Sequence, residues 1–173
     1  MNETVFTEIF DQKQMIVERE FKGPLDLIWR AWTEAELLDK WWAPKPWKTV
    51  TKHMDFREGG YWLYCMKGPN EGERHWGKAN YLKIRVEDFF DAKDIFCDED
   101  GNENKELPGT GWHVMFTQIK TGTKVKVITS FSSIEAMKQL IEMGVKEGTK
   151  MCHNNLDELL HELKQTAKTS DHA

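Results

Sequence analysis

No apolar run in this chain approaches the roughly 20 residues of a membrane-spanning helix. The polar start, Met1-Asn2-Glu3-Thr4, lacks both the basic and the apolar region of a secretory signal. Basic clusters are missing too: the formal net charge is −5, whereas nucleic-acid backbones are gripped by grouped Lys and Arg. Neither a membrane nor a nucleic acid is therefore the expected partner. Cysteine is sparse, and Cys65, Cys97 and Cys152 are odd in number and too widely spaced for a metal or redox motif. They read as reduced thiols, small apolar groups in a cytoplasmic protein. The histidines contain no His-Glu-x-x-His, so His53, His75 and His113 meet only if folding brings them together, and His161 lies on a helix flank near the chain end. No Gly-x-Ser-x-Gly elbow, phosphate loop or dinucleotide fingerprint occurs. The segment Asp98-Glu99-Asp100-Gly101-Asn102 places its glycine too early for a calcium loop and reads as a turn. No metal, cofactor or catalytic set is expected.

Tryptophan, by contrast, is abundant, and six of the eight lie between Gly23 and Trp62. Pro24 suits a first helical turn, and Leu25, Ile28, Trp29 and Trp32 recur at helical spacing, which predicts a short amphipathic helix. Thr33 and Glu36 have capping-box spacing for a second helix, which ends before Pro44. Alternation predicts strands over 15–21, 48–56, 61–66, 74–86, 94–97, 112–119 and 123–131. In the second of these Val50, Met54 and Phe56 share a face, and Gly77 marks an irregularity in the fourth. Ser132 and Glu135 form another capping box, opening a helix that runs to about residue 163. Met137, Ile141, Gly144, Val145, Gly148, Cys152, Asn155, Leu156, Leu159 and Leu163 fall on its apolar side, and Lys138, Glu142, Lys146, Lys150 and His153 on the other. Residues 1–14 read as a polar extension, 15–164 as one domain and 165–173 as a polar tail.

Pro24, Ile28, Trp29, Ala31, Thr33, Glu36, Trp41, Trp42 and Pro44, then Arg57, Gly59 and Gly60, and finally the helix over 148–160 form a composite over roughly 15–163. The composite resembles the activator of Hsp90 ATPase homologue-like family, a branch of the START-like (SRPBCC), helix-grip superfamily. The resemblance implies an α+β fold: a curved antiparallel sheet of about six or seven strands, two short helices after the first strand, and a long C-terminal helix across the sheet. It also implies an apolar cavity between that helix and the sheet.

Two readings of the helix glycines compete. Each costs about 1 kcal/mol against alanine inside a helix, so Gly144 and Gly148 either permit close packing or a bend, or leave room for a ligand. On the second reading the walls are Trp62, Tyr64, Trp76, Asn80, Trp112, Val114 and Phe116, faced by Met151 and Asn155. Strand aromatics are also ordinary core material. Trp29, Trp32, Trp41 and Trp42 are assigned mainly to packing, and Trp47 to the mouth. The expected function is carriage or sensing of a hydrophobic or amphipathic small molecule by a monomer or homodimer. A co-chaperone that stimulates a heat-shock ATPase is the alternative. Third comes a cyclase or hydrolase, for which only Asn155, Asn80, His113 and Glu147 offer polar groups.

Overall fold

The computed structural model describes residues 2–171. Eight antiparallel strands form a single sheet in the order β1-β2-β8-β7-β6-β5-β4-β3. They are β1 Val5–Ile9, β2 Gln14–Phe21, β3 Lys48–Met54, β4 Tyr61–Lys67, β5 Arg74–Arg85, β6 Phe89–Cys97, β7 Thr110–Ile119 and β8 Gly122–Phe131. Between β2 and β3, which lie toward opposite edges, helices α1 (Leu25–Thr33) and α2 (Ala35–Trp41) carry the chain across one face. After β8, α3 (Ile134–Glu142) and α4 (Val145–Asp171) complete the cover. None of these helices is long and apolar enough to cross a membrane.

Strand alternation sorts the two faces. Val17, Phe21, Val125, Val114, Phe116, Phe90, Ala92, Ala79, Tyr81, Trp62 and Tyr64 are buried on the inner face. The helices add Ile28, Trp29, Trp32, Leu38, Trp41, Leu156, Leu159 and Leu160. The Trp29 ring meets Phe56, Phe90 and Phe116 edge-on at centroid separations of 5.8, 6.1 and 4.9 Å, in the T-shaped geometry that aromatic quadrupoles favour. Trp41 is 1 % exposed, and its indole N–H donates to the Ala31 carbonyl at 2.9 Å. That bond locks α2 against α1.

Several sequence expectations need correction. The sheet has eight strands because Val5–Ile9, inside the segment read as a polar extension, forms an edge strand on β2. An edge strand has one partner and one buried flank, so Glu3 and Glu8 disguise it. The bulge in β3 falls between Thr51 and His53, which sets Met54 opposite Trp62 on the inner face and leaves Val50 exposed on the outer one. In β5 the irregularity lies between Tyr81 and Lys83, not at Gly77. Thr33 does not cap α2; its hydroxyl donates to the Trp29 carbonyl at 2.8 Å, and Glu34 is the N-cap. Ser133 rather than Ser132 caps α3, its Oγ accepting from the Ala136 amide at 3.0 Å. The single long helix is two, because Gly144 has φ = 92°, a left-handed value that ends α3 as glycine commonly does. Helix α4 then continues through the expected tail to Asp171, while the last two residues lie outside the described ones.

His153 departs furthest from expectation. Assigned to the solvent side, it is 4 % exposed, and its ring packs edge-on against Phe21 and Trp32. Its Nδ1 lies 2.9 Å from Thr4 Oγ1, which also accepts from Arg19 at 2.9 Å. The second Arg19 nitrogen donates to Asp157 in an ion pair. Arg19 is 2 % exposed. A buried cation needs such partners, because an unpaired one costs several kcal/mol. Thr4, β2 and α4 are thus tied in one polar cluster.

Burial, reinforced by the Arg19 charge, pushes the His153 pKa down to about 3. The folded state therefore favours a neutral ring. Its stabilising contribution is complete above the unfolded pKa near 6.5 and fades as pH falls toward 3, at up to about 1.4 kcal/mol per pH unit. In urea titrations the stability advantage of the wild type over His153→Gln should shrink steadily below about pH 6. An advantage independent of pH would contradict a neutral, buried His153.

Candidate functional site

The inner face is unevenly filled. Toward α1 it is solid with aromatic rings, but inward-facing Met66, Asp94, Phe96, Thr110, Trp112 and Thr129 are only half-buried. A Cβ added at Gly148 in α4 would meet no heavy atom within 4 Å. The sheet and the first turns of α4 therefore leave a loosely filled space between them, the candidate cleft.

The site grows from a glycine. Gly77 on β5 lies opposite Tyr64 on β4, and a Cβ there would come within 2.6 Å of the Tyr64 phenol. The absent side chain lets the ring lie flat over β5 and reach the next strand but one. There the Tyr64 hydroxyl donates to Asp94 Oδ1 at 3.1 Å. Trp62, two residues away on the same face, stacks on Tyr64 at 4.1 Å with 25° between the planes. The Trp42 ring enters from the end of α2 and stands 5.4 Å from Trp62, 6.4 Å from Tyr64 and 5.5 Å from Trp112. Its buried indole N–H faces the Tyr64 hydroxyl. The Trp112 N–H donates to Thr110 Oγ1 at 3.1 Å. From α4, Cys152 packs against the main apolar core, its thiol pKa pushed up to about 12 by burial.

Asp94 is the electrostatic centre. Burial raises its pKa to about 7, with the Tyr64 hydrogen bond acting the other way. Tyr64 is itself raised well above the usual phenol range, by burial first and by the Asp94 charge second. A carboxyl that exchanges its proton near neutrality in an aromatic surround can hold a polar group or carry a proton. Among the described residues, no ion pair includes Asp94, and no group of His, Cys, Asp and Glu has the arrangement to hold a metal ion.

The residues expected to line a cavity divide. Trp62, Tyr64, Trp112, Val114 and Phe116 do share the inner face. Trp76 and Asn80 point the other way, since β5 alternates with Gly77, Ala79 and Tyr81 inward; Trp76 lies under the Lys52 ammonium at 5.7 Å. Met151 is 41 % exposed. Gly144 is the helix break, whereas Gly148 borders open space. Asn155 donates to the Ala43 carbonyl at 2.8 Å, so its buried amide braces the loop after Trp42. His113 pairs with Asp91 on the outer face and Glu147 is exposed. Trp47 stacks on His75 at 5.2 Å. It also lines an outer groove of about 660 Å³ between α2 and α4, across which Lys45 and Glu158 pair at 2.7 Å.

Asp94, Thr110 and the purpose of Gly77 were missed. One signal was available: Phe90, Ala92, Asp94 and Phe96 alternate with an acidic residue in the apolar register. Starting that strand at Asp94 hid the pattern.

A helix-grip fold with an aromatic, singly acidic cleft is the class that this geometry defines. The family model described as "Activator of Hsp90 ATPase homolog 1-like protein" matches residues 22–161, and the chain belongs to that family. Similar solved structures include protein Ms6760 from Mycobacterium smegmatis, 31 % identical, with TM-score 0.83 over 91 % of this chain and 96 % of that one. A protein from Arthrobacter aurescens is 27 % identical, with TM-score 0.85 over 91 % of each chain. Protein NE0264 from Nitrosomonas europaea is 26 % identical, with TM-score 0.77 over 91 % and 99 %. Among proteins of curated function none matches.

Gly77→Ala tests the geometry. The new methyl must displace the Tyr64 ring, which lies 2.6 Å from it, so the variant should lose about 1–3 kcal/mol of stability. The Asp94 carboxyl should then titrate with a changed pKa in carbon-detected NMR, because its one hydroxyl donor has moved. An unaltered Asp94 titration would show that Gly77 does not set this contact.

Proposed function

We propose that the protein binds a small amphipathic molecule in the cleft between the inner face of the sheet and the first turns of α4. The observation that carries this reading is the Tyr64–Asp94 pair, a buried phenol meeting a half-buried carboxyl on a largely apolar, tryptophan-lined face. A pocket with apolar walls and a few convergent polar groups is the usual form of a small-molecule site. The half-buried Trp42 and Trp112 supply walls, Trp62 backs them, Asp94 and Tyr64 supply a polar end, and the bare backbone of Gly148 leaves volume. Stimulation of a chaperone ATPase is the second reading, with the family description as its support. Fold alone does not choose between them, because one fold hosts many functions.

Gly148→Leu separates a cleft from a solid core. The leucine meets no neighbouring heavy atom at its Cβ and removes a helix-interior glycine worth about 1 kcal/mol. The variant should keep or raise its melting temperature while losing at least about tenfold in affinity for a neutral hydrophobic dye such as Nile red. Met151→Ala, on the exposed side of α4, should bind as the wild type does. Equal dye affinity in all three proteins would sink the proposal.

A further inference from the structure

The acidic group in the cleft is single and lacks a counter-charge. The ion pairs of the described residues join Arg19 to Asp157, Lys45 to Glu158, Lys146 to Glu8 and others, and none reaches Asp94. Its hydrogen-bond partner is the neutral Tyr64 hydroxyl on Oδ1. Tyr64 belongs to a ring cluster in which Trp42 stands 5.4, 6.4 and 5.5 Å from Trp62, Tyr64 and Trp112, and Trp62 stands 4.1 Å from Tyr64. An aromatic cluster joined to a carboxylate through Tyr64 combines two cation-binding devices. The ring faces attract a positive charge through their quadrupoles, indole most strongly, and a carboxylate withdrawn from water gains most from a charge placed against it.

The geometry points to an organic cation, a protonated amine or quaternary ammonium carrying an apolar group, as the class of ligand that this cleft takes. The inference rests on the binding role proposed above and narrows it. An anionic ligand would face a carboxylate with no cation to offset the repulsion. A neutral apolar ligand would leave the carboxyl to remain protonated or to ionise unaided. A cation supplies the missing charge, and its apolar group replaces solvent against the half-buried Trp42 and Trp112. The overall charge of −5 adds a weak attraction of the same sign.

Three aromatic probes of similar size test this: benzyltrimethylammonium, its neutral carbon isostere neopentylbenzene, and phenylacetate. Their affinities are read from the indole N–H signals in proton–nitrogen NMR. The cation should bind at least about tenfold more tightly than the neutral isostere, and phenylacetate most weakly. Asp94→Asn keeps the shape and the acceptor for Tyr64 but removes the charge; it should reduce cation affinity to that of the neutral probe and leave the neutral probe unchanged. Tyr64→Phe, which frees the carboxylate, should retain cation binding. This second variant keeps the test decisive if the first folds poorly. Binding of the neutral isostere as tightly as the cation, or cation binding indifferent to Asp94→Asn, would overturn the cation assignment while leaving a ligand cleft standing. Failure of all three probes to shift any indole signal would overturn the cleft itself.

Discussion

One constraint governs this molecule: a single eight-stranded sheet has an inner face wider than one helix can cover. About 10 Å separates packed layers, and side chains must fill it. The chain answers with tryptophan. Trp29 and Trp32 descend from α1 onto Phe90 and Phe116, Trp41 braces α2 against α1, and Trp42 extends the wedge toward β4 and β7. Rings of this size fill the space that aliphatic side chains on two short helices would leave. The same wedge stops short of the first turns of α4, and the cleft begins there.

The polar cluster of Thr4, Arg19, His153 and Asp157 holds the other side. It fixes α4 by directional bonds where apolar packing alone would let the helix slide. Its members come from the N-terminal segment, β2 and α4. That explains how a helix with a bare glycine near its start keeps its position. Arg19 and Asp157 resist sliding at one flank, and Asn155 holds the Ala43 carbonyl at the other.

Much of this fold was legible in sequence because it obeys periodicity. The α1–α2 pair, six of the strands to within a residue or two, and the apolar stripe of α4 follow from spacing alone. What escaped detection depended on partners far away in the chain. The edge strand β1 resembles a polar tail until β2 is beside it, and His153 looks solvated until Arg19 and Thr4 surround it. Gly144 offered both a bend and a gap, and only its φ of 92° decides for the bend. Of the expected site, the strand residues Trp62, Tyr64, Trp112, Val114 and Phe116 fell on the right face because strands β4 and β7 are regular. Trp76 and Asn80 fell on the wrong one because the register of β5 was assumed from its tryptophan rather than from Gly77.

The functional question then turns on where this sequence spends its unfavourable choices. Glycine in the middle of a strand loses side-chain packing and costs backbone entropy. A carboxyl on an apolar face costs desolvation. Neither is needed to complete the hydrogen-bonded ladder of the sheet, which the backbone supplies. Here the glycine admits the Tyr64 ring, the ring carries a hydroxyl across β5, and the hydroxyl meets the one acid on that face. Two locally costly choices that meet through one tyrosine indicate a site more strongly than either alone. Local conflict with folding rules is expected where function, rather than stability, selects the residue. The outer-face pair of Asp91 and His113 makes the contrast, since both side chains are about one-third exposed and each has a charged or polar partner. That pair is complete in itself, whereas the partner of Asp94 is a neutral hydroxyl.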